Sequence, residues 1–454
     1  MKNYIKYMDN FFWKRLIVLA VPIALQNLLM SSINLADVFM IGQLGEESIA
    51  ATGLANQITF LFILMLFGIG SGAGIFTAQF WGKGDLKGVH NTLGISLILS
   101  MIATTLFGTG AFFFPEYLMK IYTTDSTVVS LGSTYLVYTA ISFFFTAFSF
   151  VYSLALRSIE RTMLPMYASI FTLITNVTLD YCLIFGKFGF PEMGVKGAAI
   201  ATSIARFVEF VIIVGVIYLR KYPLASSLSD LVKIPGSLFS RYIKVSSPVI
   251  LNEVLWSLGI STYNIIYGRM GTEAVASVNI ENSIERLAFV VMIGIGSATA
   301  TMVGNRIGAK EEERAFAFGN NLAIIGVLSG ILISIIMVLI ADPVLSIFKV
   351  SESVMQNSKN ILYIFAAILP FKAFNTIHII GSLRAGGDTK YCLILDLSAL
   401  WFLGIPLSFY AAFYLDWSVY MVFMMASTEE IIKFVLILKR FYSGKWMKNL
   451  VHDL

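Results

Sequence analysis

Charge is scarce in this chain of 454 residues: Asp, Glu, Lys and Arg together make up 13%. A soluble domain carries about a quarter of its residues as charges to keep its surface in water. With 57% hydrophobic residues and a mean hydropathy of +0.80, most of this chain must face lipid or other helices. Cysteine is nearly absent. Cys182 and Cys392 lie in apolar stretches and make no disulfide framework. The three histidines, His90, His378 and His452, show no metal-ligand spacing. No P-loop, HExxH, GxSxG or Cys/His cluster occurs, so neither direct use of ATP nor an enzyme activity is expected, and no cofactor. The net charge of +5 is scattered over short loops without a basic stripe, which argues against a nucleic-acid partner.

Long apolar runs are what the sequence does have. About 20 apolar residues cross a bilayer as a helix. Such windows centre near residues 28, 65, 100, 140, 174 and 207, and again near 253, 290, 328, 369, 402 and 429. The runs are continuous rather than alternating, which excludes a β-barrel. The first, roughly Arg15 to Gly42, is too long for a signal peptide and carries an internal acid. The expected fold is therefore an all-α integral membrane protein of twelve transmembrane helices in two six-helix lobes. The expected divisions are 1–219 for the first lobe, 220–240 for a cytoplasmic connector and 241–454 for the second lobe. Placing the N-terminus inside puts Lys83, Arg157, Arg161, Arg220, Arg306, Arg384 and Arg440 in cytoplasmic segments. Few basic residues fall outside, among them Lys120, Lys187 and Arg269. This bias predicts a multi-pass protein of the plasma membrane with both termini cytoplasmic.

The two halves are copies. A shift of 226 lays Pro22 on Pro248, Gly42 on Gly268, Gly45 on Gly271, Asn56 on Asn282 and Gly82 on Gly308. The same shift lays Gly68-Ile69-Gly70-Ser71 on Gly294-Ile295-Gly296-Ser297, and a shift of 227 lays Arg157 on Arg384. Each copy has an even number of spans, so both share one orientation. Their expected relation is a pseudo-twofold axis along the membrane normal, an arrangement suited to alternating access. Pro22 and Pro248 each remove a backbone hydrogen bond within a long span, which favours a bend.

An ionisable residue within a span costs roughly 2.5–3.5 kcal/mol on insertion scales and so marks a function or a partner. The first lobe holds Asp37 in span 1 and Asp180 in span 5. Counted from the outer helix ends, Asp37, Asp180, Thr202 in span 6 and Tyr135 in span 4 all lie about 10 Å deep at 1.5 Å per residue. Asn176 precedes Asp180 by one turn and shares its face, as Asn34 shares that of Asp37. Two carboxylates, an amide, a hydroxyl and a phenol in one layer suit either an oxygen-coordinated cation such as Na⁺ or a shared proton. A Na⁺ ion would use Asp37, Asn176, Asp180 and Thr202. The shift of 226 takes Asp37 to Tyr263, and that of 227 takes Asn176 and Asp180 to Leu403 and Leu407. The coupling site is accordingly expected in the first lobe alone.

The second lobe carries other acids. Glu253 lies in mid-span 7, and Glu281, Asn282 and Glu285 open span 8 from the outside, where they are placed to draw in a cation. Glu253, Asn282 and Gln26 are the residues expected to meet substrate. Arg206 and Glu209, three residues apart in span 6, are expected to pair. Asp396 is expected near the cytoplasmic end of span 11, reaching water or Lys390.

These residues resemble the multidrug and toxic compound extrusion (MATE) family over essentially the whole chain. The likeness rests on Ala36-Asp37 with Ile41-Gly42-Gln43-Leu44-Gly45, and on Gln79-Phe80-Trp81-Gly82-Lys83-Gly84-Asp85. It continues in Asn176-Val177-Thr178-Leu179-Asp180 and Gly197-Ala198-Ala199-Ile200-Ala201-Thr202, and in Leu383-Arg384-Ala385-Gly386-Gly387-Asp388-Thr389-Lys390. The resemblance implies a cation-coupled exporter whose ion is held by Asp37, Asn176, Asp180, Thr202 and Tyr135, with Glu253 essential in some relatives. It leaves Na⁺ and H⁺ both open. The expected activity is antiport of cationic or amphiphilic drugs and toxic compounds by alternating access, in a monomer. The alternative cargo is a lipid-linked oligosaccharide or another small solute. A pyrophosphate cargo would call for several cleft cations, where chiefly Arg206 is seen.

Overall fold

The computed structural model describes residues 4–348 and 350–454. Helices and turns make up the described residues, with no strand among them. Six long helices form the first half: α1 (Asn10–Gly42), α2 (Glu46–Lys83), α3 (Leu86–Phe113), α4 (Ser126–Ser158), α5 (Met163–Phe185) and α6 (Gly194–Leu219). The second half has α7 (Gly236–Met270), α8 (Thr272–Gly308), α9 (Glu312–Leu345), α10 (Glu352–Leu383), α11 (Thr389–Phe413) and α12 (Val419–Tyr442). α10 ends in a π-helical stretch, Ile377–Leu383, and α11 contains another, Leu400–Gly404. Among the described residues, α1 to α11 are long and apolar enough to cross a membrane. α12 is long enough but carries Glu429, Glu430 and Lys433 at its centre. It is the twelfth expected span, with its charges turned on one another, as described below.

Local chemistry sets the helix ends. Asp85 accepts from the Gly88 N–H at 2.9 Å to start α3, and Asp125 accepts from the Thr127 and Val128 N–H groups to start α4. Such caps satisfy donors that a helix start leaves free. The repeat is visible in the backbone as well. Gly45 and Gly271, matched by the shift of 226, have φ of 113° and 117°. Gly84 and Lys310 share the left-handed region at the same shift, as do Glu160 and Gly387 at 227.

The chain divides into two compact units. The C-terminal unit comprises the residues up to Val21, Gly82–Gly84 and Ser247–Asp453, and the N-terminal unit comprises Pro22–Trp81 and Asp85–Ser246, with Leu454. These limits differ from the expected 1–219, 220–240 and 241–454. The first turns of α1 pack with the second half, where Phe12, Leu16 and Leu19 share a core with Met302, Phe318 and Leu322. The start of α7 packs with the first half, where Tyr242 donates to the Ile69 carbonyl at 2.7 Å and stacks on Phe76. Both divisions fall beside a helix-interior proline, Pro22 in α1 and Pro248 in α7. A proline has no N–H for the i−4 carbonyl, so the helix is weakest there.

Candidate functional site

Five helices of the N-terminal unit converge on one small cavity of about 80 Å³. α1 contributes Asn34 and Asp37, α2 Asn56 and Thr59, α4 Tyr135, α5 Asn176, and α6 Thr202 and Arg206. The volume accommodates a few water molecules or one small ion. A drug-sized ligand needs roughly 300 Å³ or more. The cavity is therefore large enough for a small ion or water and too small for a drug-sized ligand.

Asp180 is completely buried, and Asn176 and Tyr135 are nearly so. Asp37, Asp180 and Asn176 lie within interaction range of one another, and Tyr135 faces both carboxylates, Thr202 and Asn56. The Tyr135 hydroxyl donates to Asn56 Oδ1 at 3.5 Å. All five residues expected at the coupling site, Asp37, Tyr135, Asn176, Asp180 and Thr202, are thus assembled within one unit. Asn56 and Thr59 join them from α2. Asn56 was visible only as a repeat match, although a lone amide in an apolar span is itself a signal.

Both oxygens of Asp180, one oxygen of Asp37 and both polar atoms of the Asn176 amide are buried without a hydrogen-bond partner. So is the Thr59 hydroxyl. A buried polar atom left unsatisfied costs about 1–3 kcal/mol, and more when charged. Arg206 stands at the cavity wall, but its Nη1 donates to Glu209 Oε2 at 2.8 Å, the pairing expected from their spacing. With that pair neutral, Asp37 and Asp180 retain an uncompensated anionic charge when both are ionised. A cation or a proton removes it.

The residues expected to meet substrate lie elsewhere. Arg157 Nη2 donates to Gln26 Oε1 at 2.7 Å in the N-terminal unit, and Arg384 Nη2 donates to Glu253 Oε1 at 2.9 Å in the C-terminal unit. Both pairs are separated by 131 residues, so Gln26 and Glu253 occupy one repeat position and each receives an arginine, half-buried in Arg157 and buried in Arg384. Asn282 is half-buried on α8, beside Glu281.

Three acids of the C-terminal unit depart from expectation. Glu281 is fully buried rather than lying at an outer rim, within range of Glu285 and Lys372. Glu285 is paired with Lys372. Asp396 does not reach water or Lys390; it is buried, accepting from Lys433 Nζ at 3.1 Å and from Asn252 Nδ2 at 3.2 Å. Lys433 also donates to Glu430 at 3.1 Å and to Glu429 at 3.3 Å. The i, i+3 and i, i+4 spacing of these α12 residues was the signal available in the sequence.

Comparison with known proteins agrees with this architecture. The MatE family profile matches the chain twice, over residues 22–182 and 248–410, once per repeat. A probable multidrug resistance protein NorM of Thermotoga maritima is 30% identical over 441 residues, covering 96% of this chain and 94% of that protein. The crystal structure of a mutant of the Vibrio cholerae MATE transporter VcmN superposes with a TM-score of 0.88 at 22% identity, covering 97% of this chain and 98% of that one. An outward-facing multidrug resistance MATE transporter superposes at 0.86 and 20% identity, over 98% and 99% of the two chains. The chain belongs to the MatE family and is a transporter of the multidrug and toxic compound extrusion type, not an enzyme.

Proposed function

We propose that the N-terminal cavity binds the coupling cation, Na⁺ or H⁺, and that its occupancy drives export of cationic or amphiphilic compounds. The observation that carries this reading is the set of unpartnered oxygens of Asp37, Asp180 and Asn176 around a cavity of about 80 Å³. Asp37 and Asp180 supply charge, Asn176, Thr202 and Asn56 supply neutral oxygens, and Tyr135 orients them. Hard cations favour such oxygen ligands. A proton would instead sit between the two carboxyls, which cannot both stay charged side by side in an apolar lobe without a counter-ion. Binding neutralises the pair and so changes which arrangement of α1 is favoured, with Pro22 the weak point of that helix. In one-for-one exchange with a monovalent cation no net charge moves, so the ion's concentration gradient drives export; a tenfold ion gradient supplies about 1.4 kcal/mol, enough for a roughly tenfold cargo ratio.

The names of the relatives, multidrug resistance proteins, support the same class of cargo. The test is ethidium efflux from cells expressing the protein, with the Na⁺ and H⁺ gradients collapsed in turn. Loss of efflux on collapse of one gradient identifies the ion. Efflux indifferent to both, or none of any cationic dye, would refute the reading.

A further inference from the structure

The C-terminal unit contains an acid cluster whose charges do not balance. Asp396 of α11 and Glu429 and Glu430 of α12 surround one lysine, Lys433, which is 3% exposed. The neighbouring cations are already answered, Lys372 by Glu285 and Arg384 by Glu253. Three carboxyls against one ammonium leave two without a resident partner. Two buried amides complete the site. Asn252 donates to Asp396 and Asn375 donates to Glu430 at 2.7 Å, and each keeps its own Oδ1 buried and unpartnered. Nearby, with Tyr267 in range of both it and Glu429, Glu281 is fully buried with both oxygens unpartnered.

Geometry singles out one member. Asp396 and Glu430 each hold the lysine at 3.1 Å and an amide N–H besides. Glu429 has the longest lysine contact, 3.3 Å, and otherwise only the Tyr263 hydroxyl at 3.4 Å on Oε2. Glu429 is the carboxylate least compensated by donors. Tyr263 occupies the repeat position of Asp37. Towards the chain end the repeat offset shortens to 224, which lays Val208-Glu209-Phe210-Val211 on Ile432-Lys433-Phe434-Val435 and Ala205 on Glu429. Ala205 lines the N-terminal cavity. Where the N-terminal unit has Asp37 and Ala205 lining one cavity, the C-terminal unit has Tyr263 bonded to Glu429. The α6 pair Arg206–Glu209 likewise returns in α12 as Glu430–Lys433, with its polarity reversed.

We propose that Glu429, with Tyr263 and the Lys433 cluster, is a second proton-binding site, separate from the N-terminal cation site. Proton uptake converts the Glu429 carboxylate to a carboxylic acid whose O–H can donate to the Tyr263 oxygen; no other bond changes. The groups facing it are Tyr263 and Tyr267 from α7, Asp396 from α11, and Glu430 and Lys433 from its own helix, with Lys372 of α10 beyond Glu430. The proposal does not depend on the identity of the ion in the N-terminal unit.

The test is difference infrared spectroscopy on the purified, solubilised full chain, following the C=O stretch of protonated carboxyls. Titration from about pH 9 to about pH 6 stays above the range in which exposed carboxylates protonate. The wild type should gain such a band, the Asp37→Asn/Asp180→Asn double variant should keep it, and Glu429→Gln added to that double variant should lose it. Tyr263→Phe should keep the band but move it to higher frequency, because a hydrogen bond to the carboxyl is gone. That variant retains the charges and serves if Glu429→Gln does not fold. A wild type without the band, a double variant that abolishes it, or a band unmoved by the Glu429 and Tyr263 variants would overturn the proposal.

Discussion

Arg384 donates to Glu253 across 2.9 Å, joining the end of α10 to the middle of α7, with the arginine side chain 4% exposed. At the same repeat position the other unit places a neutral acceptor, Gln26, under Arg157. Removing one partner of a buried ion pair typically costs about 3–5 kcal/mol, because the other charge is stranded. Glu253→Gln reproduces the pairing of the other unit and keeps an acceptor. Thermal unfolding of the solubilised protein should therefore show both variants as destabilised, Glu253→Gln less than Arg384→Ala because its amide oxygen still accepts from the guanidinium.

The Asn176 amide sets function against stability. Both of its polar atoms are buried and unpartnered. Asn176→Leu, the residue found at its repeat position Leu403, relieves about 1–3 kcal/mol of unsatisfied burial. The variant should melt at a higher temperature than the wild type in the absence of the coupling ion, while losing ion-driven efflux. A melt combined with an efflux assay checks both halves. Such opposition is the mark of a site retained for function.

Gly404 lies in the π-helical stretch of α11, where a Cβ would fall 2.0 Å from the Tyr263 hydroxyl oxygen and 2.7 Å from Glu429 Oε2. The bare backbone is what lets that pair meet. Gly404→Ala should cost about 1–3 kcal/mol, the usual penalty for overpacking. The cost should shrink when Tyr263→Phe is present, since the clashing atom is then gone. A double-mutant cycle on thermal stability measures this coupling.

Much of the N-terminal site was legible in the sequence, because each of its residues is an isolated polar group at a countable distance from a helix end. Asp37, Tyr135, Asn176, Asp180 and Thr202 needed only the rise per residue to be placed in one layer. The α12 cluster was harder. Glu429, Glu430 and Lys433 reveal their mutual pairing through spacing, but Asp396, Asn252 and Asn375 come from three other helices, and no periodicity links them. Glu281 looked like a rim residue because nothing in its own segment tells which neighbour covers it. The unit boundaries were hidden for a similar reason. Sequence marks Pro22 and Pro248 as weak points, but it does not say that the turns before each pack with the other half of the chain.

Central to the proposed coupling is the charge of Asp37 and Asp180. The direct measurement is gradient-driven transport of ethidium by purified protein in liposomes, comparing wild type with Asp37→Asn and Asp180→Asn. The wild type should accumulate dye against its gradient when an opposing gradient of the coupling ion is imposed, by roughly tenfold for a tenfold ion gradient in one-for-one exchange. Each variant should insert and remain folded yet bring the ratio to unity. Wild-type accumulation by both variants would contradict the account.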